Sequence, residues 1–130
     1  MPTFSIKSAE HLATCDERLQ RLFNAVIAEH DCTVIEGHRD EATQNEYFRC
    51  GKSKKRWPDG KHCTIPSSAA DVMPCPIDWN DRAGIEAFAK VVLAKAAELG
   101  IPIRWGGDWN QNGKSDDEKF FDGPHYELTT

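Results

Sequence analysis

Two of the five histidines in this chain stand apart by their surroundings. His62 and His125 each lie at the edge of a long loop, beside an acidic residue and a β-like run. The segments are Gly60-Lys61-His62-Cys63-Thr64-Ile65-Pro66-Ser67-Ser68-Ala69-Ala70-Asp71-Val72 and Phe120-Phe121-Asp122-Gly123-Pro124-His125-Tyr126-Glu127-Leu128. His62, Asp71 and His125 together make a good donor set for Zn2+, and three protein ligands leave a fourth position for water. Such an open position separates a catalytic zinc site from a closed structural one. Spacing alone does not establish the site, because H-x8-D is no general metal motif and paired histidines are more often solvated or hydrogen-bonded. Cys63, next to His62, and Cys75, soon after Asp71, are alternative donors. His11 and His30 sit among charged neighbours on or beside the first helices and are expected at the surface.

These residues must be positioned by elements that the hydrophobic pattern outlines. Leu19, Leu22, Phe23, Val26 and Ile27 recur at helical spacing and predict an amphipathic helix from Asp16 to Glu29, with Asp16 as N-cap. Thr33-Val34-Ile35 reads as a short strand ending at Gly37. A second helix is expected over Glu41–Arg49, capped by Asp40 and stopped at Gly51. Residues 50–66 lack periodicity and read as a long loop, a length that often marks function. Ala69–Met73 reads as a buried strand. The longest helix is expected from Asp81 to Leu99, ending at Gly100. Ile101–Trp105 is then a strand, 106–122 a second long loop, and His125–Leu128 a last strand. This mixture predicts an α+β fold with a small antiparallel sheet packed against helices.

The whole chain bounds its class. Its 130 residues suit one domain spanning 1–130. At 39% hydrophobic and 28% charged it should fold rather than remain disordered. A net charge of −5 argues against a nucleic-acid partner, and the one basic cluster, Lys52, Lys54, Lys55 and Arg56, falls in a turn-rich segment that reads as a solvated loop. No stretch approaches the ~20 apolar residues of a membrane span, and the N-terminus lacks the pattern of a signal peptide. A soluble monomer made in the cytoplasm is expected. Five scattered cysteines without a C-x-x-C pair give neither a disulfide framework nor a four-cysteine zinc site.

Several blocks, in order, carry a resemblance. They are Gly37-His38-Arg39 with Gln44, His62 through Pro66-Ser67-Ser68-Ala69-Ala70-Asp71-Val72, Pro76-Ile77-Asp78-Trp79, Ile103-Arg104-Trp105-Gly106-Gly107-Asp108-Trp109, and Phe120 through Leu128. Over nearly its whole length the chain resembles the zinc D,D-carboxypeptidase and L-alanyl–D-glutamate endopeptidase family, and most of all its short phage endolysins. The resemblance implies a D,D-peptidase/Hedgehog-like zinc fold, with His62, Asp71 and His125 as ligands. It also implies hydrolysis of peptidoglycan stem peptides, at the L-Ala–D-Glu bond, on the cell wall after release from the host cytoplasm. This chain has Gly60 where many relatives carry Ser, and His38 where they often carry an aromatic residue.

The same resemblance assigns further roles. An acidic residue three positions before the second histidine acts as general base in the family, which here is Asp122; a carboxylate capping the Gly123-Pro124 turn is the alternative. Glu127 is the rival base. On a strand its side chain shares a face with that of His125, which suits orientation of a ligand or substrate. Arg39 resembles an arginine that stabilises the oxyanion, against the alternative of a surface pair with Asp40 or Glu41. Gln44, one helical turn onward, is expected to line the same cleft, and Trp105, Trp79 and Trp109 to form its walls, against the alternative that the tryptophans are core or semi-buried residues.

Asp108-Trp109-Asn110-Gln111-Asn112-Gly113 matches the start of an EF-hand loop, which raises Ca2+ as a second metal over Asp108–Lys119. Position twelve is Lys119 rather than the bidentate Glu, so a metal-free polar loop is the simpler reading. A D,D-carboxypeptidase or dipeptidase acting on D-Ala ends, or a non-catalytic peptidoglycan-binding module, are the competing functions.

Overall fold

The computed structural model describes residues 2–53, 55, 57, 59–108, 111 and 121–130. Among the described residues, four helices and four strands follow one another as α1 (Ile6–Ala13), α2 (Glu17–Glu29), β1 (Cys32–Glu36), α3 (Glu41–Arg49), β2 (Ala69–Pro74), α4 (Arg82–Leu99), β3 (Ile103–Trp105) and β4 (His125–Leu128), with a 3-10 turn at Lys61–Cys63 before β2. The strands form one sheet in the order β1-β2-β4-β3, every pair antiparallel. The α+β expectation holds.

Local chemistry sets the helix ends. The carboxylates of Asp16, Asp40 and Asp81 accept from the backbone N–H groups of Arg18, Thr43 and Gly84, satisfying donors that a helix start leaves open. α4 closes at Gly100 in the left-handed conformation. α1 lies outside the expected elements: only Ser8 and Leu12 of its eight residues are buried, so no apolar stripe marks it. β3 starts two residues later than Ile101, because Pro102 offers no N–H to a ladder.

The pleat divides the sheet into two faces. Val34 pairs with Val72, Ala70 with Tyr126, and Tyr126 with Trp105, so these share one face, and Leu128 joins them by alternation. That face belongs to the core formed with Leu22, Phe23 and Val26 of α2 and with Ile85, Phe88 and Val92 of α4. Tyr126 sits between Phe23 and Phe88, edge-on to both rings at 5.6 and 6.4 Å. The opposite pleat carries Asp71 on β2, His125 and Glu127 on β4, and Arg104 on β3. Four chemically active side chains are thus grouped by strand alternation alone.

β1 carries one extra residue against β2. The register passes from Val34↔Val72 to Glu36↔Asp71, which leaves Ile35 unpaired and sets Glu36 opposite a proposed ligand. Among the described residues, no helix is long and apolar enough to cross a membrane. His11 is half-buried, and so is His30, whose ring lies 5.2 Å from that of Phe88, edge-on. Both thus lie at the surface as expected, His30 with one side of its ring against Phe88 of α4.

Candidate metal centre

His62, Asp71 and His125 converge. His62 Nε2 lies 3.1 Å from Asp71 Oδ1 and 3.2 Å from His125 Nδ1, and His125 Nδ1 lies 3.4 Å from Asp71 Oδ1. This is the one group of His, Cys, Asp and Glu residues among those described that could hold a metal ion. Two of the three come from strands in direct register, Asp71↔His125, and the third from the 3-10 turn preceding β2.

The tautomers follow from the outer partners. His62 Nδ1 is 2.8 Å from the carbonyl oxygen of Gly37, which can only accept, so Nδ1 carries the proton and Nε2 of the neutral ring is bare. His125 Nε2 is 2.8 Å from Glu127 Oε1 and donates to it, which leaves Nδ1 bare. With both rings neutral, two imidazole lone pairs and a carboxylate oxygen face one another, an arrangement that a shared proton or a metal cation satisfies. Zinc with ligands at ~2.0–2.1 Å has a tetrahedral edge of about 3.3 Å, close to all three separations, and a donor set with two imidazoles suits zinc better than magnesium or calcium.

Electrostatics agree. Glu36, Asp71, Asp122 and Glu127 gather around the cluster with the guanidiniums of Arg39 and Arg104. Four carboxylates against two guanidiniums leave two negative charges, which a divalent cation matches. Burial disfavours the charge on Asp71, but the charge of His62 and hydrogen bonds from both imidazoles hold its carboxyl well below the usual range. Burial also opposes charge on His125, yet its hydrogen bonds to Asp71 and Glu127 outweigh this and raise its imidazole to about 9. In the metal-free protein a proton thus partly fills the cation's place. Glu127 is lowered to about 2 against its burial, by hydrogen bonds from His125 and Arg104, the latter with Nη2 2.7 Å from Oε2.

Asp122 opens a turn into β4. His125 N–H donates to the Asp122 carbonyl, Asp122 N–H donates to Gly106 O at 2.9 Å, and Gly106 N–H donates to His125 O at 2.7 Å. Gly106 thus clamps both ends of the turn, and any side chain there would collide with the Asp122 carbonyl. Burial pushes the Asp122 carboxyl up, repulsion from Asp71 adds to this, and the charges of His125, His62 and Arg39 oppose it. Its carboxylate makes no hydrogen bond to another described residue.

Arg39 is buried rather than paired at the surface with Asp40 or Glu41. Its Nε donates to Glu36, Nη1 to Gln44 Oε1 at 2.9 Å, and Nη2 lies 3.5 Å from Asp71 Oδ2. Gln44 is buried too; its amide nitrogen bonds Ser53 Oγ and Lys55 O, so it ties the loop after α3 to Arg39 instead of lining an open cleft. Trp105 is likewise buried, with its indole N–H donating to Gly123 O at 2.7 Å and its ring edge-on to Phe121. Trp79 is exposed, at 59%. Trp109 and most of the Asp108–Lys119 loop lie outside the described residues; Asp108 itself is buried. Cys63 contacts the Asp59 carbonyl and Cys75 the Thr33 hydroxyl, so neither joins the metal-binding group. Glu36 and Tyr47 escaped the sequence reading, because one acid after a strand and one tyrosine on a helix carry no spacing signal.

The comparisons with known proteins point one way. The family model described as phage L-alanyl-D-glutamate peptidase matches residues 2–129. The chain is 34% identical to the L-alanyl-D-glutamate peptidase of Escherichia phage T5 over 134 aligned positions, covering 96% of each. Its fold matches the crystal structure of the Serratia marcescens L-Ala D-Glu endopeptidase ChiX with a TM-score of 0.78 at 28% identity, over 98% of this chain and 90% of that one. A three-donor cluster on such a sheet, with a match running almost from end to end, places this chain in the phage L-alanyl-D-glutamate peptidase family.

Proposed function

We propose that the chain is a zinc peptidase that cuts the L-Ala–D-Glu bond of peptidoglycan stem peptides and acts as a phage endolysin in host lysis. The observation that carries this reading is the convergence of His62 Nε2, Asp71 Oδ1 and His125 Nδ1, each pair within 3.1 to 3.4 Å. When bound, zinc supplies Lewis acidity, which polarises the scissile carbonyl and makes a water acidic enough to attack near neutral pH.

The remaining steps belong to the protein. Asp122 takes the proton from the attacking water and passes it to the leaving amine. Its burial suits that task, since a carboxyl raised above its ordinary value accepts a proton more readily. Glu127 holds the His125 tautomer that presents Nδ1, and Arg104 fixes Glu127. Arg39 sits beside Asp71 and adds positive charge where negative charge develops on the substrate oxygen.

Digestion of purified peptidoglycan, followed by identification of the new amino terminus, tests the reading. A D-Glu amine supports it. Released D-Ala assigns the chain to D,D-carboxypeptidase chemistry instead. Lysis abolished by a chelator and restored by zinc supports catalysis, whereas zinc content without turnover indicates a binding module.

A further inference from the structure

Arg39 reaches Asp71 only because other side chains hold it there, and one of them stands outside every role assigned so far. Glu36 uses both carboxylate oxygens: Oε1 accepts from Arg39 Nε, and Oε2 accepts from the Tyr47 hydroxyl at 3.1 Å. The Tyr47 ring also lies under the guanidinium, 4.5 Å from Arg39 Cζ to the ring centroid. Tyr47 and Gln44 stand three residues apart on α3, so one helix face delivers both a stacking ring and an amide to the same arginine. Tyr47 is anchored in turn, since its carbonyl accepts from the backbone N–H groups of Lys52 and Ser53.

We infer that Tyr47 is a positioning residue for the metal centre, acting through Glu36 on Arg39 and through Arg39 on the second oxygen of Asp71. The inference rests on the zinc-peptidase reading but is readable without peptide hydrolysis. Losing the hydroxyl frees one oxygen of Glu36, loosens the Glu36–Arg39 pair, and lets the Asp71 carboxylate rotate. Arg39 is the partner that touches the ligand, where a loss commonly changes affinity or activity by about 10- to 100-fold, and Tyr47, acting through it, is placed at the lower end of that range.

The test is a double-mutant cycle of Tyr47→Phe and Glu36→Gln, read as Zn2+ affinity by competition with a chromophoric chelator and as kcat on peptidoglycan fragments. The phenylalanine keeps the ring and removes only the hydroxyl. Each single variant is expected to weaken zinc about tenfold and lower kcat with little change in KM. The double variant should be no worse than the poorer single one. Wild-type zinc affinity in Tyr47→Phe, or single effects that multiply in the double variant, would overturn the inference. A fall in melting temperature alone, with zinc affinity and kcat intact, would overturn it too by reducing Tyr47 to a packing role. Should the wild-type protein bind zinc without cutting peptidoglycan, the peptidase reading fails while the affinity cycle still decides the role of Tyr47.

Discussion

Asp71 and His125 face each other directly across the β2–β4 ladder, so one backbone register fixes two of the three proposed metal ligands. A site built this way is preformed without its metal, and metal binding should couple to stability. In the metal-free protein, His125 is raised from 6.5 to about 9, so its stabilising proton is fully present below about 6.5 and lost as pH climbs through about 9. The metal-free melting temperature should therefore decline across that window. Zinc must displace the same proton, so its apparent affinity should rise by about tenfold per pH unit towards 9, with about one proton released at pH 7. Calorimetry in buffers of different ionisation enthalpy measures the proton count, and Asp71→Ala should abolish the zinc-induced stabilisation.

Asp122 carries the sharpest test of mechanism. Asp122→Asn keeps shape and removes a buried negative charge that repels Asp71. Hydrolysis should fall by about 10²- to 10⁴-fold, with zinc still bound. Because the carboxyl is raised in the folded protein, its ionisation opposes folding at neutral pH, and the metal-free variant should melt no lower than wild type. Full activity in this variant, with a dead Glu127→Gln, would reverse the two assignments.

Glu127→Gln separates holding a ligand from moving a proton. The glutamine can still accept from His125 Nε2 through its carbonyl, but the negative charge that strengthens this bond is gone. Zinc affinity should drop by about 10- to 100-fold, and added zinc should restore most of the activity. A loss of activity that persists at saturating zinc would assign Glu127 to the chemistry itself.

Gly106 offers a structural test. Its Cβ position is occupied by the Asp122 carbonyl, and contacts to Asp122 Cβ and His125 Cβ would each be 3.0 Å. Gly106→Ala should displace the turn that relates these two residues, at about 1–3 kcal/mol of stability. Activity should fall well beyond what that loss of folded protein explains. Chemical denaturation run beside a kinetic assay checks both.

Gly37 shows why part of the centre was legible and part was not. The ligands announced themselves by residue type and by ordered blocks of resemblance. The helices from Asp16, Asp40 and Asp81 announced themselves by caps and apolar stripes. Gly37 was read as the end of a strand and as part of a block of resemblance, with no role of its own, yet its carbonyl fixes the His62 tautomer, and a Cβ there would collide with the His11 carbonyl and the Thr14 hydroxyl. Such a requirement exists only once α1 is in place, and α1 has too few buried positions to be seen as a pattern. Arg39 and Gln44 were identified by motif, but their direction was not: whether a side chain faces a cleft or a neighbouring carboxylate depends on the bulge at Ile35 and on the Glu36 partner it sets. Tertiary partners decide orientation, and no periodicity in the chain encodes them.

β4 is a central strand formed from residues 125–128, inserted between β2 and β3. Its pairing with β2 joins residues some fifty positions apart, and such long-range closures are slow, entropy-limited steps in folding. Because that same pairing brings His125 to Asp71, the metal donors assemble in the act that completes the sheet. A fragment holding only β1 and β2 has two of the three donors and no sheet centre, so tight zinc uptake during refolding becomes a clock for the slowest closure of the chain.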